Sequence, residues 1–350
     1  MVSETLTFLG WDIGGVHIKA VRIDWQKGKI IDTRIAIHPL EMWHEYTNLS
    51  AILRDVGVDL GLDGVRAMAV TMTAELSDAF RSKREGVLFI LDAIGSAFPG
   101  IPVYLLNIDG DIVKQKEGLN PLDYAATNWL ASAQYLATRH SDFILMDVGS
   151  TTTDIVPVSK GRVVSRGRTD IERLASGELV YSGILRSNPD TVTSQVPIQG
   201  QMCRVAAESF TNMGDVYLIL GHVTQEEYSC PTPDGRAKTA VAAAERLARF
   251  VCADAETLDS EQIFKLARYL FEKQLEKMTE ALLQVLSAQE DGYRLPVIAA
   301  GAGSFLAAKA SRRLGLSVVD LEKEYGKMSA AAFSSLAVGC LTAIKFTRTD

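Results

Sequence analysis

The sequence predicts an α/β protein built from two related domains with a ligand cleft between them. Three observations carry that prediction: a strand–turn–strand segment that occurs twice, strand-length apolar runs that alternate with helical patterns, and a length of 350 residues, which suits about two domains. The repeat is the most informative. Residues 8–23 read as an apolar strand reaching Asp12, a tight turn at Gly14-Gly15, and a β-branched strand carrying Lys19. Residues 143–156 read the same way, with Asp147, then Gly149-Ser150-Thr151-Thr152-Thr153, then Asp154. A further turn at Gly28 or Gly161 follows each copy, so a third strand is expected after each. Asp147 lies 135 residues after Asp12, and Gly161 lies 133 after Gly28. Offsets of that size indicate a duplicated domain rather than a short-period solenoid.

Between the copies, residues 65–71 and 103–107 read as buried strands. Residues 79–97 and 121–138 read as helices, the second opened by Asn120-Pro121, a cap followed by proline in the first turn. After the second copy, Val216-Tyr-Leu-Ile-Leu-Gly221 is predicted as a strand. A long helix is expected over about 260–288, where Phe264, Phe271, Leu275, Met278, Leu282 and Val285 recur at spacings of three, four and seven. That stripe is core or interface. A strand over 296–300 runs into Gly301-Ala302-Gly303-Ser304 and a helix, and a small-residue helix is expected over about 329–345. Residues 188–212 show no periodicity and read as a substrate lid or a plain loop. Strands alternating with helices imply sheets covered on both faces. The expected domains are 1–138 and 139–350, the second carrying a helical insertion at about 170–290 and a last helix that packs back toward the interface.

Composition narrows the class. Apolar residues make up 47% and charged residues 23%, which excludes a disordered chain. The net charge of −7, with 36 basic and 43 acidic residues, argues against a nucleic-acid partner, which calls for a basic stripe. Cys203, Cys230, Cys252 and Cys340 form no C-x-x-C pair and no disulfide framework, so they read as thiols in a reducing compartment. The first residues lack a basic segment followed by a long apolar run, and no stretch reaches about 18 uninterrupted apolar residues. A cytoplasmic protein with no membrane partner is therefore expected.

Three loops suit phosphate. Glycines in the first turn let backbone N–H groups approach an anion, Asp12 offers oxygen to Mg²⁺, and Lys19 is near enough in sequence to reach a phosphate or else is a solvated strand residue. The second turn adds four hydroxyls between Asp147 and Asp154. The third, at Gly301–Gly303, joins a strand to a helix N-terminus, where backbone N–H groups and the helix dipole favour an anion. Each loop alone is an ordinary hairpin or connection. His17 and His222 read as exposed histidines as readily as site residues. Arg162, Arg166, Arg168 and Arg173 suggest an anion patch, although alternation along a hairpin sends some of them into solvent. No complete βαβ unit follows Gly301, so this is not a dinucleotide fingerprint.

In combination and in this order the loops resemble those of the actin, sugar-kinase and Hsp70 superfamily: phosphate-1 at 12–19, phosphate-2 at 147–154 and an adenosine-type motif at 299–304, with connecting helices at about 121–138 and 329–345. The resemblance implies two ribonuclease-H-like domains. Three longer strings are more particular: Thr71-Met-Thr73-Ala-Glu75-Leu-Ser-Asp78-Ala-Phe80, Gly177-Glu178-Leu-Val-Tyr181-Ser-Gly183-Ile-Leu-Arg186, and Pro233-Asp234-Gly235-Arg236-Ala-Lys238. With the loops they resemble the hydantoinase/oxoprolinase-related branch tied to tetrahydromethanopterin-linked one-carbon metabolism, over roughly residues 8–340.

That branch implies a transferase of methanofuran biosynthesis, joining the phenol oxygen of γ-glutamyltyramine to an aminomethylfuran-methyl diphosphate with release of diphosphate. By the resemblance, Asp12 and Asp147 bind Mg²⁺, while Gly14, Gly15, Lys19, Gly149, Ser150, Thr151, Thr152, Gly301 and Gly303 hold phosphate. Asp154, Glu75 and Asp12 are the catalytic candidates, and Glu75 has a plain alternative as the cap of the next helix. Thr73, Glu178, Tyr181, Arg186, Arg236 and Lys238 are the substrate-binding candidates. The last five of these are equally readable as helix start, core aromatic or solvated surface. ATP is allowed by the fold but not needed for this reaction. An ATP-dependent small-molecule kinase, an ATP-switch or assembly protein and an amide hydrolase are the rival readings. The expected partners are small molecules, with a homo-oligomer left open.

Overall fold

The computed structural model describes residues 4–349 apart from 117, 255 and 291, and the chain divides into two units. The first comprises the chain up to residue 142, residues 158–169, and the chain from 321 onward; the second comprises 143–157 and 170–320. The closing segment thus belongs to the first unit, where a last domain continuous to the C-terminus was expected.

The strands of the first unit are β1 (Leu6–Ile13), β2 (His17–Gln26), β3 (Lys29–Pro39), β4 (Val65–Met72), β5 (Val103–Leu106) and β6 (Ile112–Lys114). They form one sheet in the order β3-β2-β1-β4-β5-β6. β1 pairs antiparallel with β2 and parallel with β4. It is buried on both faces. Leu9, Trp11 and Ile13 face a core shared with the helices Leu49–Leu60 and Lys83–Ala97. On the other face Phe8 meets Phe346 edge-on at 5.4 Å, so that face carries the last helix, Phe333–Thr349. The helix comes very close because Gly10 and Gly339 oppose each other. A Cβ at Gly339 would stand 3.3 Å from Gly10 N and 2.6 Å from Ile23 Cδ1, and one at Gly10 would overlap the Ser335 carbonyl.

The remaining strands are β7 (Phe143–Val148), β8 (Thr153–Ser159), β9 (Arg162–Val163), β10 (Leu179–Val180), β11 (Gln195–Ile198), β12 (Gln201–Arg204), β13 (Val297–Ala300) and β14 (Val318–Asp320). The second sheet runs β10-β8-β7-β13-β14, with β7 parallel to β13. β7 therefore has the place in its sheet that β1 has in the first: its following strand on one side, a later parallel strand on the other. The 135-residue repeat is a repeat of topology. The third strand expected after Gly161 is only two residues long, β9, and is counted with the first unit.

Several elements differ from expectation. Residues 216–221 are not a strand: they lie in and just after the helix Met213–Ile219, which Asn212 and Asp215 open with a reciprocal capping box. The helix expected from 79 begins at Lys83, where Ser82 accepts a hydrogen bond from Glu85 N. The stretch 121–138 is a 3₁₀ turn, Pro121–Tyr124, followed by the helix Asn128–Ala137. Residues 188–212 hold the β11–β12 hairpin, turned at Gln199-Gly200, both with positive φ. The long helix spans Ser260–Leu286 behind an Asp259/Gln262 capping box. Its stripe is buried from Phe271 onward, whereas Phe264 is 45% exposed and Ile263 takes its place in the core. The last helix is preceded by a short one, Lys327–Ala331. No helix among the described residues is long and apolar enough to cross a membrane.

Candidate functional site

The first turn is closed by Gly14 N donating to the His17 carbonyl at 2.9 Å. A Cβ at Gly14 would lie 2.7 Å from that oxygen, so the turn demands glycine there, while Gly15 has open space around it. Register places Asp12 directly opposite Lys19, so the two side chains share the sheet face that carries the last helix. Asp12 is buried, and Ser334 at the start of that helix donates to its Oδ2 at 2.5 Å. The adjacent Ser335 donates to the Lys19 carbonyl at 2.9 Å. Two consecutive serines thus grip both arms of the turn. Thr73 follows β4, is exposed, and presents its hydroxyl 3.6 Å from the Cβ position of Gly14. Glu75 is buried, with its backbone pressed against Gly86 of the next helix. The cap of that helix is Ser82, so Glu75 is not the cap.

The second turn is built alike and braced differently. Gly149 N donates to the Thr152 carbonyl at 2.8 Å. Ile184 N donates to Gly149 O, and Leu185 N and Arg186 N both donate to Ser150 O, each at 3.0 Å. Gly183 lets that segment lie against the turn, since a Cβ there would stand 2.5 Å from Thr151 N and from Ser150 C. The brace is itself held. Gln274, buried in the long helix, donates from Nε2 to Ser182 Oγ and the Gly183 carbonyl, both at 2.9 Å, and accepts from Tyr217 Oη at 2.5 Å. Ser150, Thr151 and Thr152 are all half-buried, as is Asp147.

Asp154 on β8 pairs through Oδ1 with Arg173 at 2.9 Å, and Arg173 is buried and also donates to the Glu178 carbonyl at 2.9 Å. Burial pushes the Asp154 carboxyl above the usual carboxylate range, and the Arg173 guanidinium opposes that shift. Glu178 is buried and accepts from Ser176 Oγ at 2.9 Å. Tyr181 is 62% exposed, so it is not a core aromatic. In the third loop, Gly301 has φ +80° and leaves room for the Asp147 carboxylate, which a Cβ would strike. Gly303 caps the helix Ser304–Arg313 and donates to the Val148 carbonyl at 2.8 Å. Asp147, Ser150, Asp154 and Gly301 are therefore brought to one end of the second sheet, and Asp12, Gly14, Lys19 and Thr73 to one end of the first.

The string at 233–238 is anchored by a buried ion pair. Arg246 binds Asp215 bidentately, Nε to Oδ2 at 2.9 Å and Nη2 to Oδ1 at 2.6 Å, with both side chains fully buried. Burial works against the Arg246 charge, but the bonds to Asp215 raise its pKa further. Its Nη1 reaches Asp234 at 3.2 Å. Arg236 is committed to Asp234 and Glu245 at 2.6 and 2.5 Å. Lys238 stands 5.6 Å over the Tyr228 ring. Arg186 is half-buried, and its guanidinium and the Lys238 ammonium act on Cys230, whose thiol burial nonetheless pushes up. His222 stacks on Phe305 at 4.8 Å, and burial together with Lys309 and Arg268 pushes its pKa down.

The hydantoinase/oxoprolinase family model matches residues 66–340. The chain belongs to the hydantoinase/oxoprolinase family. A relative from Methanocaldococcus jannaschii, named (4-{4-[2-(γ-L-glutamylamino)ethyl]phenoxymethyl}furan-2-yl)methanamine synthase, is 33% identical over 96% of this chain and 97% of its own length. A protein of the same name from Methanococcus vannielii is 30% identical over 57% of this chain and 89% of its own. Among solved structures, nucleotide-free acetone carboxylase superposes with a TM-score of 0.58 at 11% identity, covering 96% of this chain and 70% of that one. The PilM–PilN type IV pilus biogenesis complex gives 0.53 at 11%, covering 96% and 98%. This hydantoinase/oxoprolinase family member thus shares its fold with acetone carboxylase and the PilM–PilN structure.

Sequence reasoning missed Ser334 and Ser335, Gln274 and the Asp215–Arg246 pair, and it placed Arg173 in an anion patch where the structure pairs it with Asp154. The missed residues act across separations that run from 31 residues for Asp215 and Arg246 to 322 for Ser334 and Asp12. Only Asn212-x-x-Asp215 carried a local signal, the capping pattern that also marks the helix misread as a strand. Among the described residues, no group of three or more His, Cys, Asp and Glu side chains is arranged to hold a metal ion. Both turns offer backbone amides, to which the second adds hydroxyls, as donors for a phosphate oxygen; each also has a strand-end carboxylate, which is an acceptor suited to a cation.

Proposed function

We propose that this protein is the transferase of methanofuran biosynthesis that forms the aryl ether of (4-{4-[2-(γ-L-glutamylamino)ethyl]phenoxymethyl}furan-2-yl)methanamine. The observation that carries the reading is the 33% identity sustained over 96% of the chain to the synthase of that name. The second glycine turn and Asp147 lie within any stretch of that length. In the reaction the phenol oxygen of γ-glutamyltyramine bonds to the CH₂ of the furan-methyl diphosphate. The C–O bond to diphosphate breaks with its electron pair on the leaving group, and the phenol proton goes to a base.

Diphosphate suits amides and hydroxyls of the kind that Ser150, Thr151 and Thr152 present, with Gly149 closing the turn that sets them, because donors fixed before the reaction need no rearrangement as charge grows. In the first turn Gly14 closes the bend while Gly15 and Lys19 offer a backbone amide and an ammonium, and Gly301 and Gly303 keep the third loop close to Asp147. Asp154 is the base in this reading. Its ion pair engages Oδ1 and leaves Oδ2 to accept a proton, and a carboxyl raised by burial is better matched to that task than an ordinary one. Glu75 is assigned to the furan amine, Arg186 and Lys238 to the glutamyl carboxylates, and Thr73, Glu178 and Tyr181 to substrate contact. Arg236, held by two carboxylates, is assigned to keeping its own loop in place. Magnesium, if bound, would supply positive charge against the leaving diphosphate, and each unit has one strand-end carboxylate of the oxygen-donor type it prefers, Asp12 in the first and Asp147 in the second.

The test is direct. The protein is incubated with the furan-methyl diphosphate and γ-glutamyltyramine, with and without Mg²⁺, and separately with Mg²⁺ and ATP. Ether formation with equimolar diphosphate, and no ATP turnover, is the expected result. A phosphorylated product or ATP hydrolysis without ether would place the protein among the kinases or ATP switches of the same fold.

A further inference from the structure

The first unit contains a cavity of about 540 Å³ that none of the three loops lines. Its floor is the helix Asn128–Ala137 and the middle of the last helix, contributing Trp129, Leu130 and Leu341, and the short strand β9 adds Val163. Its polar lining is uneven. Arg162, Arg168 and Asp109 line it together with Gln134 and Ser165. Arg168 is ion-paired with Asp109, which cancels one guanidinium. Arg162 forms no ion pair among the described residues, so one positive charge is left over. The Ser165 hydroxyl is buried and has no hydrogen-bond partner among the described residues. A buried hydroxyl left without a partner costs free energy that a bound acceptor would recover.

We infer that this cavity is a binding site for a small amphipathic organic anion, with a carboxylate or phosphate on an aryl or alkyl body. The guanidinium of Arg162 presents a planar fork that matches either anion bidentately. Ser165 supplies one further donor to the anionic end. Trp129, Leu130, Val163 and Leu341 form the apolar surface for the body, the mix of mostly apolar wall and few polar groups that small-molecule sites show. A fully inorganic anion would leave that wall wet, and a neutral body would leave Arg162 without its counter-charge. Arg162 thus has a role that the ether-forming reaction does not give it.

Phenyl phosphate and phenylacetate serve as probes, titrated into the full-length protein by calorimetry, with benzyl alcohol as the neutral control. Saturable one-to-one binding of at least one anion, and none of the alcohol, is expected; which anion binds identifies the head group. Arg162→Glu, at an exposed position, should weaken that binding about tenfold or more, since it removes the charge-assisted fork and sets a carboxylate against the anion. Ser165→Ala should weaken it less. Lys19→Ala, in the first turn, should leave it within about twofold, which separates this cavity from the phosphate loops. The melting temperature of each variant shows that it is folded. Absence of saturable binding, or binding by Arg162→Glu equal to wild type, or loss in Lys19→Ala instead, overturns the assignment.

Discussion

Replacing Gly183 with alanine adds one methyl group where the segment after β10 lies against the second turn. Gly183 is not in the left-handed region, so the substitution is a test of space alone. The new Cβ would stand 2.5 Å from Ser150 C and Thr151 N and 2.6 Å from Gly149 O. Ordinary carbon contacts are about 3.5–4.0 Å, so turn and brace must separate by roughly 1 Å. All three obstructing atoms are backbone, and no side chain can swing away. Forcing a methyl into such a contact costs about 1–3 kcal/mol, or roughly 2–4 °C of melting temperature per kcal/mol in a chain of this class. The effect on turnover should be larger, because a misplacement of about 1 Å in a catalytic group can cost on the order of 100-fold. The assay pairs a thermal melt with ether formation. Gly15→Ala is the control, since no atom lies within 4 Å of its added Cβ. The reasoning is refuted if Gly183→Ala melts with wild type and keeps its rate within about twofold, or if Gly15→Ala is damaged as much.

Asp12→Asn and Asp147→Asn should each remove most of the turnover while leaving the melt nearly unchanged; near-normal Mg²⁺-dependent rates in both would dismiss these carboxylates. The acid limb of kcat/KM should sit above the usual carboxylate range, because Asp154 must be ionised to accept a proton and burial has raised its pKa. Activity then falls as pH drops through that raised value, and Asp154→Asn should abolish the limb together with the rate. Arg246→Ala strands a fully buried Asp215 carboxylate and should cost about 3–5 kcal/mol, measured by denaturant titration. Arg236→Ala breaks only surface ion pairs and should cost no more than about 1 kcal/mol, with activity kept.

Much of the fold was legible because it depends on local pattern. Each glycine turn sits between apolar runs, and the stripe from Phe271 to Val285 has the spacing of a buried helix face. Val216-Tyr-Leu-Ile-Leu misled because five apolar residues in a row fit a strand and a buried helical turn equally well. The capping pair ahead of it, Asn212 and Asp215, three residues apart, was the deciding local signal. The site divides along the same line. Asp12, Gly14, Asp147, Gly149 and Gly301 announce themselves by residue type and position in a turn. Gln274 and Ser334 do not, since a buried glutamine in a helix or a serine at a helix start looks ordinary until its partner is brought to it by the fold.

The last helix has a consequence for the order in which the molecule can be assembled. Gly10 and Gly339 are placed against each other, and Asp12 receives the Ser334 hydroxyl, only when the final stretch of chain has been added to a sheet begun some 320 residues earlier. Closing so long a loop is slow compared with local folding. The second unit has most of its own strands and helices between residues 143 and 320 and can collapse without waiting. The first turn is therefore the last part of the machinery to be finished. A chain cut before residue 333 would keep the glycines and the aspartate of that turn but not the clamp that sets them.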